Sequence, residues 1–186
     1  MKDFLSKIHK VNDDILTEYL SSWEEFVVPR KTVMTAPGKT QRYLYYVLEG
    51  IQKSYYLNED KQHIILFTYA PSFSGNPGSF VTQTPSKYFH ETITESKFLR
   101  IPYEKHQQLM DRHREIETLF RKAIEYLLIG VMEKHYELMA FDMETRFKIF
   151  TKRSPHLLTL ISQKDLASYL RINSTNFSKL MNTVRI

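Results

Sequence analysis

The sequence predicts an α+β protein: an N-terminal double-stranded β-helix, or jelly roll, flanked by helices, then a long dimerisation helix and a C-terminal helix-turn-helix. Three observations carry this reading. Short β-rich runs punctuated by turn formers fill residues 25–101, a sustained three-to-four apolar spacing follows, and a pair of short amphipathic segments closes the chain inside a basic tract. The implied organisation is a sensor domain over residues 1–111, a dimerisation helix over 112–141 and a DNA-binding domain over 142–186.

The chain opens on Phe4, Ile8, Val11, Ile15, Tyr19 and Trp23, the spacing of one or two amphipathic helices, with Asn12 or Asp13 placed to cap a turn. The runs EEFVV, TVMT, RYLYYVLE, IQKSYY, HIILFTY, FHETIT and KFLRI then read as strands. Ala36-Pro37-Gly38, Gly50 and Asn58-Glu59-Asp60 supply the turns between some of them. From about Pro102 to Phe141 the period is helical again. Phe120, Ile124, Leu127, Val131, His135 and Leu138 form a seam, from which a homodimer interface at Ile124, Leu127, Val131 and Leu138 is expected. A second row at Leu128, Met132 and Met139 is expected to pack on the chain's own roll.

Composition sets outer bounds. The 186 residues are 42% apolar and 13% aromatic, sufficient for a substantial core. Without cysteine there is no disulfide scaffold, no cysteine-ligated cluster and no thiol nucleophile. No apolar run approaches the ~20 residues that cross a bilayer, and MKDFLSKIHK is not a signal peptide. A cytoplasmic protein with no membrane partner is expected. Residues 1–100 hold 12 Lys/Arg against 11 Asp/Glu and residues 101–141 hold 6 against 7, whereas residues 142–186 hold 8 against 3. The net +5 therefore resides in the last quarter, the footprint of a phosphate-backbone contact.

The most specific local signal lies in that quarter. Ser162 is placed to accept the amide of Asp165 and begin a helix whose inner face is Leu166, Ala167 and Leu170. Ala167 is small where two helices cross, Ile172 plugs the turn, and Phe177 and Leu180 are the inner positions of a second helix. Ser174, Thr175, Asn176 and Ser178 are then candidate base readers, with Lys179 and Arg185 on phosphate or a guanine edge. Arg171 falls where such a turn needs a left-handed residue, at a strain of about 1 kcal/mol.

These motifs resemble the Crp/Fnr family of transcription regulators over nearly the whole length. Gly38 and Tyr46-Val47-Leu48-Glu49-Gly50 look like the family's strand pattern, Phe67 to Ile101 like its effector cassette, and Met143-Glu144-Thr145-Arg146-Phe147 like the segment after the dimer helix. SFVTQTPSKY and LASYL are typical of a short branch that ends at the recognition helix, without a β-wing. The resemblance implies a cyclic-nucleotide-binding-like domain, duplex DNA as partner and a homodimer. It leaves room for a small-molecule effector and RNA polymerase as further partners, and implies no cofactor and no enzymatic activity.

Two departures limit the transfer. Cyclic-nucleotide-binding members offer a Gly-Glu and a later Arg with a small hydroxyl residue, and the matching positions here are Asn76, Ser86 and Lys87. A cyclic phosphate would lack its bidentate arginine, so the pocket bordered by Asn76, Ser79, Ser86, Lys87 and Tyr88 is expected to take another ligand or none, and not cyclic AMP. In the recognition helix, Ser174, Thr175 and Lys179 stand where members often carry Arg, Glu and Arg. That leaves a sensor or scaffold without DNA binding as the main alternative. A cupin-like metal enzyme is a remote one, because His9, His63, His90, His106, His113, His135 and His156 are scattered with no H-x-H pair.

Overall fold

The fold, obtained as a computed structural model, is described for residues 1–183; Arg185, one of the expected DNA contacts, lies outside the described residues. Helix α1 (Lys2–Ile8) is followed by α2 (Asp13–Ser21), which begins where Asn12 accepts the amides of Asp14 and Ile15 at 2.9 and 3.4 Å. The strands β1 (Glu24–Val28), β2 (Val33–Thr35), β3 (Tyr43–Glu49), β4 (Ile51–Asn58), β5 (Lys61–Tyr69), β6 (Ser72–Ser74), β7 (Phe89–Thr92) and β8 (Ser96–Pro102) build two four-stranded sheets, ordered β1-β8-β3-β6 and β2-β7-β4-β5. A short α3 (Pro77–Thr82) sits between β6 and β7. The sequence pattern misses β6 and α3: Ser-Phe-Ser is too short for alternation to register, and Pro77-Gly78 reads as a turn although proline is at home in a first helical turn.

Turn chemistry explains the strand breaks. Gly50 adopts φ +92° between β3 and β4, and a Cβ there would lie 2.5 Å from the Glu95 carbonyl oxygen, so both conformation and space require glycine. Between β4 and β5, Glu59 and Asp60 both take positive φ (49° and 59°), the two-residue turn whose twist matches a hairpin.

After β8 come α4 (Tyr103–Arg112) and the 27-residue α5 (Arg114–Ala140). The helical period over 102–141 is thus divided, because His113 is extended at φ −127° and ψ 102°. Next are α6 (Met143–Arg153), capped by Asp142 on the Thr145 amide, and α7 (Leu157–Leu160), then α8 (Gln163–Leu170) and α9 (Ser174–Thr183).

The described residues pack as two compact units, one of residues 1–54 with 67–127 and one of 55–66 with 128–183. In the first, β3 is buried on both faces because its alternation divides two cores. Leu44 and Tyr46 join Leu5, Leu16, Tyr19, Phe80, Ile101, Leu109 and Ile116 under the helices, and Tyr45 and Val47 join Val28 and Phe98. In the second, Phe147, Phe150, Leu157 and Ile161 are buried together with Leu166, Ala167, Leu170, Ile172, Phe177 and Leu180, the six positions expected to face inward. Phe147 meets Phe177 edge to face at 5.5 Å.

Candidate functional site

The interior of the roll is polar. Gln52 and Ser54 on β4, Ser74 on β6 with Asn76 just beyond it, His90 on β7 and Ser96 on β8 are all buried, and hydrogen bonds join them into one chain. Asn76 gives its two amide hydrogens to Ser86 Oγ and the Tyr88 carbonyl at 2.9 and 3.0 Å. Its Oδ1 takes the Ser54 hydroxyl proton at 3.3 Å, which leaves Ser54 Oγ to accept from His90 Nδ1 at 3.0 Å. The other ring nitrogen, Nε2, then accepts from Ser74 Oγ at 3.0 Å. Thr68 supplies Gln52 Oε1 at 3.1 Å, and Gln52 Nε2 donates to Ser96 Oγ at 2.9 Å. Burial pushes the His90 imidazole down to about 4, so the ring is neutral, and the single Ser74 proton has two acceptors within reach, His90 Nε2 and Gln52 Oε1 at 3.1 Å.

Of the five residues expected to border a pocket, Asn76, Ser86 and the Tyr88 backbone are brought together. Ser79 lies beside them in a different role, accepting the Gln41 amide at 3.0 Å and donating to the Thr84 carbonyl at 2.6 Å. Lys87 and the Tyr88 side chain are exposed. Sequence reasoning missed Gln41, Gln52, Ser54, Thr68, Ser74, His90 and Ser96. A signal existed: Gln52/Ser54 and His90/Thr92 are polar pairs spaced by two inside strands, the period that puts both members on one face.

This network contains no cation. Lys53, on the opposite face of β4 from Gln52 and Ser54, is buried 4.0 Å from Glu91. A phosphate diester entering here would lose its hydration and break existing pairs without meeting a charged donor, which is strongly unfavourable.

In the C-terminal unit, Ser162 accepts the Asp165 amide at 3.1 Å and starts α8, and Asn173 accepts the Asn176 amide at 2.8 Å and starts α9. Between them Arg171 is left-handed, with φ 56° and ψ 43°. Ser174, Thr175, Ser178 and Lys179 are exposed on α9, Asn176 is half-buried, and Lys152, Lys164 and Arg171 are exposed in the same unit. The Arg146 guanidinium donates to the carbonyls of Phe141, Leu170 and Arg171 at 2.8, 3.1 and 3.2 Å, tying the ends of α5 and α8 to α6. Glu137 accepts from both terminal nitrogens of Arg153, and the Lys134 ammonium lies 3.6 Å from Glu137 and 4.2 Å from the Tyr169 ring centre. Burial pushes that ammonium down to about 8 against the pull of Glu137.

The C-terminal half of α5 is open. Leu128, Ile129, Val131, Met132, Tyr136 and Met139 are 52–76% exposed. Ile124, Leu127 and Leu138 are half-buried. The row Leu128, Met132 and Met139, expected against the chain's own roll, therefore belongs to the open flank, since the rotation of a helix about its axis is fixed by its neighbours and not by its period.

Comparison with known proteins places this geometry. Residues 25–113 match the cyclic nucleotide-binding domain. The matched stretch runs from β1 to α4, and the hydrogen-bonded network described above includes no arginine. Similar solved structures extend beyond it. The c-di-GMP-responsive global regulator CLP of Xanthomonas campestris is 19% identical, over 92% of this chain and 90% of that one, with a TM-score of 0.66. FixK2 of Bradyrhizobium japonicum is 15% identical over 86% and 83%, at 0.72, and a CooA variant of Carboxydothermus hydrogenoformans is 16% identical over 93% and 85%, at 0.68. At these identities the shared property is the fold. No curated protein matches the chain by sequence. Among the described residues no helix is long and apolar enough to cross a membrane.

Proposed function

We propose that this chain is a DNA-binding transcription regulator of the Crp/Fnr type, in which α8 and α9 form a helix-turn-helix and α9 is the recognition helix. The observation that carries the reading is the pairing of a buried inner face, Leu166 to Leu180, with an exposed outer face of Ser174, Thr175, Ser178 and Lys179. The basic excess of residues 142–186 and the open apolar flank of α5 support it, since a two-fold dimer sets two recognition helices one groove turn apart. Selection from random duplexes should enrich a two-fold site. Lys179→Ala should weaken binding and flatten its salt dependence by about one counterion. A chain that enriches no site, and whose binding is absent or insensitive to salt, would be a sensor or scaffold on the same fold.

The roll is proposed to take a neutral ligand, or none, in place of a cyclic nucleotide. Support comes from the uncharged, fully paired chain through Asn76, Ser54, His90 and Ser74. Calorimetric titration with cyclic AMP and cyclic GMP should show no micromolar binding, and a saturable signal from either overturns this assignment.

A further inference from the structure

The outer edge of β5 is met by a side chain from α8. Strand β5 is last in the order β2-β7-β4-β5, so alternate residues present amides and carbonyls that no strand satisfies. The tip of the β4–β5 hairpin, residues 55–66, packs in the same compact unit as α8. There the Ile64 amide donates to Ser168 Oγ at 3.0 Å, and the Ser168 hydroxyl donates to the Gln62 carbonyl at 3.1 Å. In a parallel ladder one residue of the partner strand accepts from residue i+1 and donates to residue i−1. Ser168 makes this same pair of bonds to Ile64 and Gln62 with a single oxygen, which requires a hydroxyl because it must donate and accept at once.

We propose that Ser168 is a positioning residue for DNA binding: it latches α8, and with it the exposed face of α9, to the edge of β5. The proposal rests on the DNA-binding reading of α9. On the hairpin side both partners are backbone groups, so the latch fixes register whatever side chains the tip carries. Ser168 lies on the flank of α8, beside the buried inner positions Leu166, Ala167 and Leu170, so the bond restrains the helix in a direction that its apolar packing leaves free.

The test uses the full-length chain with Ser168→Ala and Ser168→Thr. Hydrogen exchange should accelerate about tenfold at the Ile64 amide in the alanine variant, the loss of one net hydrogen bond, and recover in the threonine variant. Duplex affinity should fall several-fold in Ser168→Ala with its salt slope unchanged, unlike Lys179→Ala, which flattens the slope. Unchanged Ile64 exchange in a chain that binds duplex overturns the latch alone. A flattened slope in Ser168→Ala makes Ser168 a phosphate contact and overturns the positioning role. Failure of the unsubstituted chain to bind duplex overturns the DNA-binding reading and the positioning role with it, while exchange at Ile64 still reports whether the edge bond exists.

Discussion

Replacing Arg146 by alanine is expected to lower the stability of the C-terminal unit by about 3 kcal/mol, a large effect for one half-buried side chain. The last carbonyls of a helix have no intrahelical donor. Here the carbonyls of Leu170 and Arg171 at the end of α8 and of Phe141 just beyond α5 share one guanidinium. Removing it leaves three acceptors without that donor and detaches α6 from both helix ends. The figure is kept below the sum of three charge-assisted bonds because Arg146 is partly open to water, which replaces some of what is lost. Arg146→Lys should recover only a minor part, since a point-charge ammonium cannot reach three divergent carbonyls as a planar fork does. Urea unfolding followed by circular dichroism decides the matter: a lysine variant as stable as the arginine form would show that charge near the helix ends, and not the forked geometry, stabilises the unit.

The second large effect is expected at Val131. The open flank of α5 and the basic helix pair together argue for a two-fold dimer, and of the expected interface Ile124, Leu127, Val131 and Leu138 it is Val131 that is itself exposed, at 52%. Val131→Glu would place two unpaired carboxylates in the interface. Even at the low end of the desolvation cost, together about 3 kcal/mol, the dimer dissociation constant should rise roughly a hundredfold. Sedimentation velocity over a concentration series should show the variant monomeric where the unsubstituted chain is dimeric. A variant that remains dimeric at low concentration places the interface elsewhere.

Which features could be read from the chain follows from how local their causes are. The caps at Asn12 and Ser162, the hairpin at Glu59-Asp60 and the inner positions from Leu166 to Leu180 depend on residues within a few places of one another, and spacing alone reveals them. The left-handed turn at Arg171 is a case in which the sequence breaks a local preference while the backbone still adopts the conformation, with φ 56°. The roll interior was legible only in part. Asn76 and Ser86 lie ten residues apart in one cassette, but Ser54 and His90 are separated by 36 positions and meet only after two strands have paired with others. The exposure of Leu128, Met132 and Met139 has a related cause: the apolar rows of α5 are visible in the sequence, but which row is covered is a property of the tertiary fold.

The edge of β5 also bears on how the chain behaves in concentrated solution. A strand at the edge of its sheet is a template for a neighbouring molecule's strand, and Leu57 and Ile65 on this hairpin are 48% and 40% exposed, so pairing would be reinforced by apolar contact. With Ser168 seated against Gln62 and Ile64, that template is interrupted near its first residues. The Ser168 hydroxyl thereby guards this stretch of the hairpin against intermolecular pairing. A chain shortened after α5 would lose that guard and should form strand-paired aggregates at concentrations where the full chain stays dispersed.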